Sequence, residues 1–145
     1  MNTATRTGTI LCNSVWYQEP YFLGALQDEI DTARSDGTAL CLILLRMTDY
    51  TRNAARHLYA YAEAEDGHSF FGILGNGDYA ICMPGSGYTE GTQERVALAN
   101  GLGQFDVCSG LAVLDAERSA RELLQVASED CQCDGSSYVA ALRAA

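Results

Sequence analysis

The length, composition and charge of the chain limit the kinds of protein it can be. At 145 residues it is long enough for one domain with a sizeable core, and its 48% hydrophobic and 19% charged residues argue against wholesale disorder. The formal net charge is −10, and the nine basic residues, all arginines, are scattered, so neither a nucleic acid nor an anionic membrane surface is an expected partner. The longest apolar run, Ala39–Leu45, is far below the roughly 20 residues of a membrane-spanning helix, and no secretory signal is visible, which predicts a cytoplasmic protein.

Six cysteines are present, and their positions favour free thiols over disulfides or a metal site. Cys41, Cys82 and Cys108 each lie within an apolar run typical of a strand, where a thiol acts as a small buried hydrophobe. Cys131 and Cys133 have C-x-C spacing, whereas zinc sites use C-x2–4-C, and the two histidines lie far away in the sequence. We therefore expect reduced cysteines, no metal ion and no cofactor.

The first half of the chain predicts a helix, a strand and a second helix. Pro20 suits the first turn of a helix, Gly37 suits its end, and apolar residues recur between them at helical spacing (Phe22, Leu26, Ile30 and Ala33). The continuous apolar run Ala39–Met47 predicts a buried central strand. Thr48 or Asp49 can cap the next helix, whose apolar positions lie on one face (Ala54, Leu58, Tyr61 and Ala62).

The second half predicts a β-hairpin followed by further alternating elements. The strands His68–Leu74 and Asp78–Met83 are joined by Gly75-Asn76-Gly77, and Asn-Gly between apolar runs is a strong hairpin signal. In the third helix (Thr89–Leu102), we expect Val96 and Ala99 to face the core. The elements expected after the hairpin are the helix Thr89–Leu102, the strand Asp106–Leu114, a helix from Asp115 to about Glu129 and a closing strand Ser137–Leu142. The order predicts a compact α/β sandwich, with a mixed central sheet flanked by helices.

Four stretches in this order resemble the GGDEF domain, the catalytic module of diguanylate cyclases, which has the palm-like nucleotidyl cyclase fold. Tyr21–Ile30 resembles the first helix of that family, and Leu40–Tyr50 resembles the strand that ends in its D-x-D-x-F pattern. Phe70–Gly85 resembles the signature hairpin, with G-N-G-D-Y in place of G-G-D-E-F, and Cys108–Asp115 resembles the S-x-G-I-A strand. The likeness covers Glu19–Val139, so we assign residues 1–18 to an N-terminal segment and residues 19–145 to a GGDEF-like domain.

The resemblance also identifies catalytic residues of the family that are replaced in this chain. The cyclisation of GTP requires Mg²⁺, which the family holds with carboxylates from the end of the first strand and from the hairpin. Arg46 stands where the first of these aspartates would be, Gly77 replaces the signature aspartate, and Asp78 shortens the signature glutamate. Shifting the alignment by one residue matches Gly77-Asp78 to G-D but places Tyr79 at the glutamate. The guanine-recognising pattern is absent and the product-binding R-x-x-D motif has become Asp66–Ser69, so the resemblance implies an inactive domain without product inhibition.

A binding role and a structural role are both open for the residues at this site. Gly75-Asn76-Gly77 permits close approach of a phosphate, but it is also simply a hairpin turn. Asp78 is a candidate metal ligand, or an exposed carboxylate at the start of a strand. Arg46 can hold an anionic ligand, or it can pair with Asp78 across two strands, which is the alternative we favour. A group of aromatic residues is expected in the core rather than in a base-stacking platform (Tyr59, Tyr61, Phe70 and Phe71).

The resemblance predicts a catalytically inactive regulatory module in bacterial signalling. We expect it to bind a protein partner or a second copy of itself, through apolar surface on its first two helices. The alternative is a non-catalytic sensor of GTP or cyclic di-GMP, whose vestigial nucleotide site would comprise Arg46, Gly75, Asn76, Gly77 and Asp78. A third hypothesis, an active cyclase with unconventional metal ligands, lacks the paired carboxylates that catalytic Mg²⁺ needs.

Overall fold

The computed structural model describes seven segments of the chain, five of which contain the eight strands and helices named here. In chain order these elements are β1 (Trp16–Gln18), α1 (Glu19–Asp36), β2 (Leu40–Met47), β3 (Phe70–Ile73), β4 (Tyr79–Pro84), α2 (Tyr88–Leu102), β5 (Val107–Val113) and α3 (residues 120–131). Residues 56–58 and 60–61 are also helical. The residues described are 16–47, 56–58, 60–61, 69–75, 78–102, 107–115 and 117–131. The predicted cap at Thr48 or Asp49, the Asn76-Gly77 turn and the closing strand Ser137–Leu142 lie outside them.

Within the described residues, five strands form a mixed sheet in the order β1-β3-β4-β2-β5. β1 and β3 run parallel, whereas the other neighbouring strands are antiparallel, so the predicted mixed sheet and hairpin are confirmed. The hairpin closes through the backbone N–H of Leu74, which donates to the carbonyl oxygen of Asp78 at 2.8 Å. β1, assigned from sequence to the N-terminal segment, is an edge strand of this sheet, and three residues are too few to display a strand period.

The central strand β2 is buried on both faces, which explains its unbroken apolar sequence. Leu40, Leu42 and Leu44 pack in one core with α1 and α3. The alternate side chains belong to a second core that includes Leu58 and the α2 residue Leu98 (Cys41, Ile43 and Leu45). The predicted α/β sandwich is therefore confirmed, with helices on both sides of the sheet.

Helix α1 begins and ends where its sequence predicts. Pro20 lies in the first turn, and Gly37 adopts a left-handed conformation with φ of 69° at the C-terminal cap, where its N–H donates to the carbonyl oxygen of Ala33. The predicted apolar residues are its buried ones. No helix in the described part of the chain is long and apolar enough to cross a bilayer.

The inner face predicted for the third helix is wrong. In α2, Val96 is 56% exposed and Ala99 is exposed, whereas Gly91 and Leu98 are buried against the sheet. Gly91 and Leu98 are seven residues apart, so they share a face after two turns, while Val96 projects from nearly the opposite side.

The start predicted for the last helix is also wrong, because a turn separates Asp115 from α3. The Asp115 carboxylate accepts hydrogen bonds from the backbone N–H groups of Glu117 and Arg118 at 3.1 and 3.2 Å. Ser119 caps α3 instead: its hydroxyl accepts from the N–H of Glu122 at 3.3 Å, and the Glu122 carboxylate accepts from the N–H of Ser119 at 2.8 Å. This reciprocal pair is a capping box, which starts the helix at residue 120.

Helix α3 lies directly on β5 at Gly110. A Cβ atom added there would clash with the carbonyl oxygen of Ala127 and would lie 2.6 Å from the backbone nitrogen of Cys131. The absence of a side chain therefore permits close contact between helix and sheet, and it brings Ser128 of α3 to the end of β2.

Candidate functional site

The candidate site is a charged cluster at the end of the central strand. In the pairing of β2 with β4, Leu45 lies opposite Tyr79, so the next pair of positions along the two strands is Arg46 and Asp78. Adjacent antiparallel strands bring opposed side chains onto the same face, and here that face carries α1 and α3. The predicted ion pair between these two residues is therefore present.

The Arg46 guanidinium meets the Asp78 carboxylate through two nitrogens. Its Nη2 donates to Oδ2 at 2.9 Å and its Nε donates to the same oxygen at 3.2 Å. Nη2 also donates to the hydroxyl oxygen of Ser128 at 3.1 Å. The hydrogen bond to Asp78 is the main cause that raises the pKa of Arg46, while burial opposes it. The carboxylate thus stabilises the charged form of the guanidinium at this end of β2.

The prediction that Asp78 is an exposed carboxylate is wrong, since only 5% of the residue is accessible to solvent. The side chain of Arg46 is 26% exposed. A buried carboxylate requires a compensating donor, and the Arg46 fork supplies one. The burial arises from α3, which covers this end of the sheet and contributes Ser128. Sequence reasoning missed Ser128, because no local pattern in the last predicted helix indicates that it covers the end of β2.

The hairpin loop is held by the start of α1. The exposed Gly75 donates its backbone N–H to Glu19 Oε1 at 2.6 Å. This hydrogen bond occupies the backbone N–H of Gly75, which a phosphate bound at the loop would otherwise need. It also joins the hairpin to α1. Asn76 and Gly77 lie outside the described residues, so the five predicted nucleotide-site residues are brought together only in part, at Arg46 and Asp78.

The aromatic residues of β3 belong to the two cores, as predicted. Phe71 is buried and stacks on Trp16 of β1 with ring centroids 4.8 Å apart. Phe70 packs edge-on against Phe22 at 5.6 Å. Tyr61 is partly buried against the second core, and Tyr59 lies outside the described residues.

The large apolar side chains with most exposure in the described segments are Tyr21 on α1 and Tyr88 and Val96 on α2. Leu58, in the second helical stretch, is buried. Among the described residues, two of these three side chains lie on α2 and one on α1, and most of the second predicted helix lies outside the described part of the chain.

The described cysteines are free thiols, of which three are buried (Cys41, Cys82 and Cys131) and one is partly buried (Cys108). Burial raises the pKa of Cys41 to about 12 and that of Cys131 to about 11. Both thiols are therefore protonated near neutral pH and are poor metal ligands. Among the described residues, no three acidic, histidine or cysteine side chains are grouped so that they could hold a metal ion.

Comparison with solved structures identifies the fold, whereas comparison of sequences finds no relative. No protein-family model matches the sequence, and no curated protein matches it either. The GGDEF domain of DgcB from Caulobacter crescentus, in complex with c-di-GMP, matches with a TM-score of 0.76 and 15% identity, over 90% of this chain and 88% of that one. A microbial GGDEF domain, described in its interaction with cyclic di-GMP, matches with a TM-score of 0.67 and 17% identity, over 83% and 86% of the two chains.

A third match is the diguanylate cyclase SiaD from Pseudomonas aeruginosa, in complex with its activator SiaC. Its TM-score is 0.62 and its identity 12%, over 83% of this chain but only 55% of SiaD. Identities this low support the architecture rather than the chemistry. The mixed five-stranded sheet flanked by helices agrees with these structures, and the chain therefore has the fold of a GGDEF domain.

Proposed function

We propose that this chain is a GGDEF-fold module without diguanylate cyclase activity that acts by binding and regulating another protein. The observation that carries the proposal is the ion pair between Arg46 and Asp78, with its 2.9 Å contact. Two-metal phosphoryl chemistry needs carboxylates that face the metal ions. Here a permanent cation occupies one of those positions and binds the carboxylate that remains.

Regulation through a protein partner is supported by the similarity to SiaD, which forms a complex with an activator protein. Net charge of −10 and the exposed Tyr88 and Val96 suit a surface that contacts protein rather than nucleic acid. The candidate partners are a second copy of the chain or an active GGDEF cyclase, which share its fold.

The test of inactivity is an assay for cyclic di-GMP production from GTP and Mg²⁺, with an active GGDEF cyclase as the positive control. We expect no product from the wild-type chain. Two variants separate loss of the metal site from loss of the fold. Arg46→Asp places a second carboxylate opposite Asp78, and Arg46→Met removes the cation alone. Formation of cyclic di-GMP by the wild-type chain would contradict the proposal.

The test of regulation uses the same active cyclase. Increasing amounts of this chain are added to it, and the rate of cyclic di-GMP formation is measured together with the sedimentation of the mixture. We expect a saturable change in rate and a heavier species. An unchanged rate, with both proteins sedimenting as they do alone, would exclude an active GGDEF cyclase as the regulated partner.

A second candidate function is a nucleotide sensor, which the similarity to GGDEF domains in complex with cyclic di-GMP favours. Titration calorimetry with GTP and with cyclic di-GMP, each with and without Mg²⁺, tests it. Micromolar binding that Arg46→Met weakens would support the sensor. If neither nucleotide gives a heat of binding at roughly millimolar concentration, the sensor is excluded and the protein-binding module is the function that remains.

A further inference from the structure

Two of the described cysteines, Cys108 on β5 and Cys131 on α3, belong to the same core. Cys131 is buried within that core, whereas Cys108 packs against its margin and is partly exposed. Both are reduced thiols in this structure. Because one cysteine is on the sheet and the other is on the helix that covers it, a bond between them would join two elements that now touch only through packing and hydrogen bonds.

Gly110 shows how closely Cys131 approaches β5. A Cβ atom built on Gly110 would lie 2.9 Å from the Cβ atom of Cys131 and 2.6 Å from its backbone nitrogen, so Cys131 lies directly over this position of the strand. Cys108 is the preceding residue of β5 on the same face, about 7 Å along the strand from Gly110.

The contact between Ser128 and Arg46 brings this part of α3 to the level of Cys108. Arg46 lies opposite Cys108 in the pairing of β2 with β5, and its Nη2 donates to the hydroxyl oxygen of Ser128 at 3.1 Å. Ser128 and Cys131 are neighbours on the helix surface, one turn apart. Cys131 therefore lies near both Gly110 and Cys108. A disulfide joins Cβ atoms about 3.5–4.5 Å apart, which is within reach of two side chains placed in this way.

The last turn of α3 is anchored to the same strand. Asp130 Oδ2 accepts from the backbone N–H of Leu111 at 2.8 Å and lies 3.3 Å from Arg95 Nη1. Arg95 also donates to the backbone carbonyl oxygen of Ser109 at 2.7 Å. These contacts hold Cys131 beside the strand that carries Cys108.

The two thiols differ in exposure and feel each other's charge. Burial raises the pKa of Cys131 to about 11, against the opposing attraction of Arg46 and Arg95, and the charge of Cys108 raises it further. The partly exposed Cys108 is the thiol that an oxidant in solution reaches first. The high pKa of Cys131 slows its attack on another sulfur, but both groups are held in one core, and this proximity replaces a bimolecular encounter.

We propose that Cys108 and Cys131 form a reversible disulfide when the protein meets a hydroperoxide. The Cys108 thiolate attacks one peroxide oxygen and becomes a sulfenic acid, and the departing hydroxide takes up a proton to give water. The Cys131 thiolate then attacks the Cys108 sulfur, and the sulfenic oxygen leaves as a second water. Two thiols are oxidised and hydrogen peroxide is reduced to two water molecules, and a dithiol restores both thiols by exchange. The site is independent of the proposed function and stands whether or not the chain has cyclase activity.

Peptide mapping of the full chain after treatment with excess hydrogen peroxide tests the proposal. The native protein is oxidised, its remaining thiols are alkylated on denaturation, and the monomer is digested with trypsin and analysed by mass spectrometry. We expect one main cross-link, which joins the peptide of Cys108 to the peptide of Cys131 and disappears with dithiothreitol. The same treatment in urea should give several pairings, because only the fold selects this one.

Variants assign the second sulfur, since no arginine or lysine separates Cys131 from Cys133 and trypsin leaves both on one peptide. Cys131→Ala should abolish the cross-link, and Cys133→Ala is the matched control that should retain it. Cys108→Ser changes a partly exposed residue, should keep the far-UV circular dichroism of the wild type, and should also abolish the cross-link. The proposal is overturned if native wild-type protein only gains oxygen atoms, if its pairings are as mixed as those in urea, or if the cross-link persists without Cys131 or is lost without Cys133.

Discussion

Removing the Arg46 guanidinium should destabilise the fold because it leaves the buried carboxylate of Asp78 without its main donor. The perturbation is Arg46→Met, which keeps the length and the apolar stem of the side chain. Two unit charges about 4 Å apart attract by about 4 kcal/mol at an effective dielectric constant of about 20. The Arg46 side chain is 26% exposed, so solvent screens part of this attraction. We expect the free energy of unfolding to fall by about 2–3 kcal/mol, somewhat less than the roughly 3–5 kcal/mol for a fully buried pair.

The double variant separates the interaction from the loss of either side chain. Arg46→Met combined with Asp78→Leu leaves no buried charge, and we expect it to lie within about 1 kcal/mol of the wild type. The two substitutions should therefore compensate each other by about 2–3 kcal/mol, a coupling that non-interacting residues do not show. Ser128→Ala, which removes a single hydrogen bond from the same guanidinium, should be destabilising by only about 0.5–1 kcal/mol.

Urea unfolding followed by far-UV circular dichroism measures each free energy, and equal m values confirm that the variants unfold from the same state. The reasoning is refuted if Arg46→Met changes the free energy of unfolding by less than about 0.5 kcal/mol, or if the effects of the two substitutions simply add.

Three more predictions concern packing, acid stability and thiol reactivity. Gly110→Ala should lower the free energy of unfolding by about 2 kcal/mol or more, as measured by thermal unfolding. Gly24→Ala is the control: no atom lies within 4 Å of its added Cβ, so it should raise that free energy by about 0.5–1 kcal/mol. Equal melting temperatures of the two variants would contradict the close contact between α3 and Gly110. The hydrogen bond from the backbone N–H of Gly87 lowers the pKa of Glu90. Glu90→Gln should therefore be less stable than the wild type above the ordinary pKa of 4.5, and the difference should disappear as the pH falls through the lowered pKa. A difference in the free energy of unfolding that stays constant over this pH range would refute the prediction. Burial raises the thiol pKa values of Cys41 and Cys131, so both should resist iodoacetamide at about pH 8 until the chain is denatured. The contribution of these two protonated thiols to stability should be complete below the ordinary pKa of 9.0 and should be lost as the pH rises through about 11 and 12. Rapid labelling of Cys41 and Cys131 in the native protein would contradict the prediction.

The sequence predicts those elements whose signal is local. Helix α1 has apolar residues at helical spacing between Pro20 and Gly37, and the structure confirms it almost to the residue. The run from Leu40 to Met47 is apolar throughout because the strand is covered on both faces, and the hairpin follows from two short strands separated by a glycine-rich turn. The resemblance to GGDEF domains arises from the order of these same elements, which is why the fold is identified although sequence identity is only 15% to a matching structure.

The elements that the sequence predicts wrongly have weak or ambiguous local signals. α2 carries alanine and valine on several faces, so its pattern does not distinguish the buried side from the exposed one, and packing against the sheet selects Gly91 and Leu98. Asp115 is as good a helix cap as Ser119, and only the reciprocal bond with Glu122 shows which residue begins α3. β1 is too short to be recognised without β3 beside it.

The sequence by itself predicts that Arg46 lies near the end of a buried strand and that Asp78 lies at the start of the second strand of a hairpin. Only the tertiary structure decides that Asp78 is buried and that Ser128 completes the cluster. Arg46 and Asp78 are 32 positions apart, and Ser128 lies 82 positions beyond Arg46. Spacing along one segment encodes which face a side chain occupies, but the burial of a charge depends on which distant elements cover it and supply its partners.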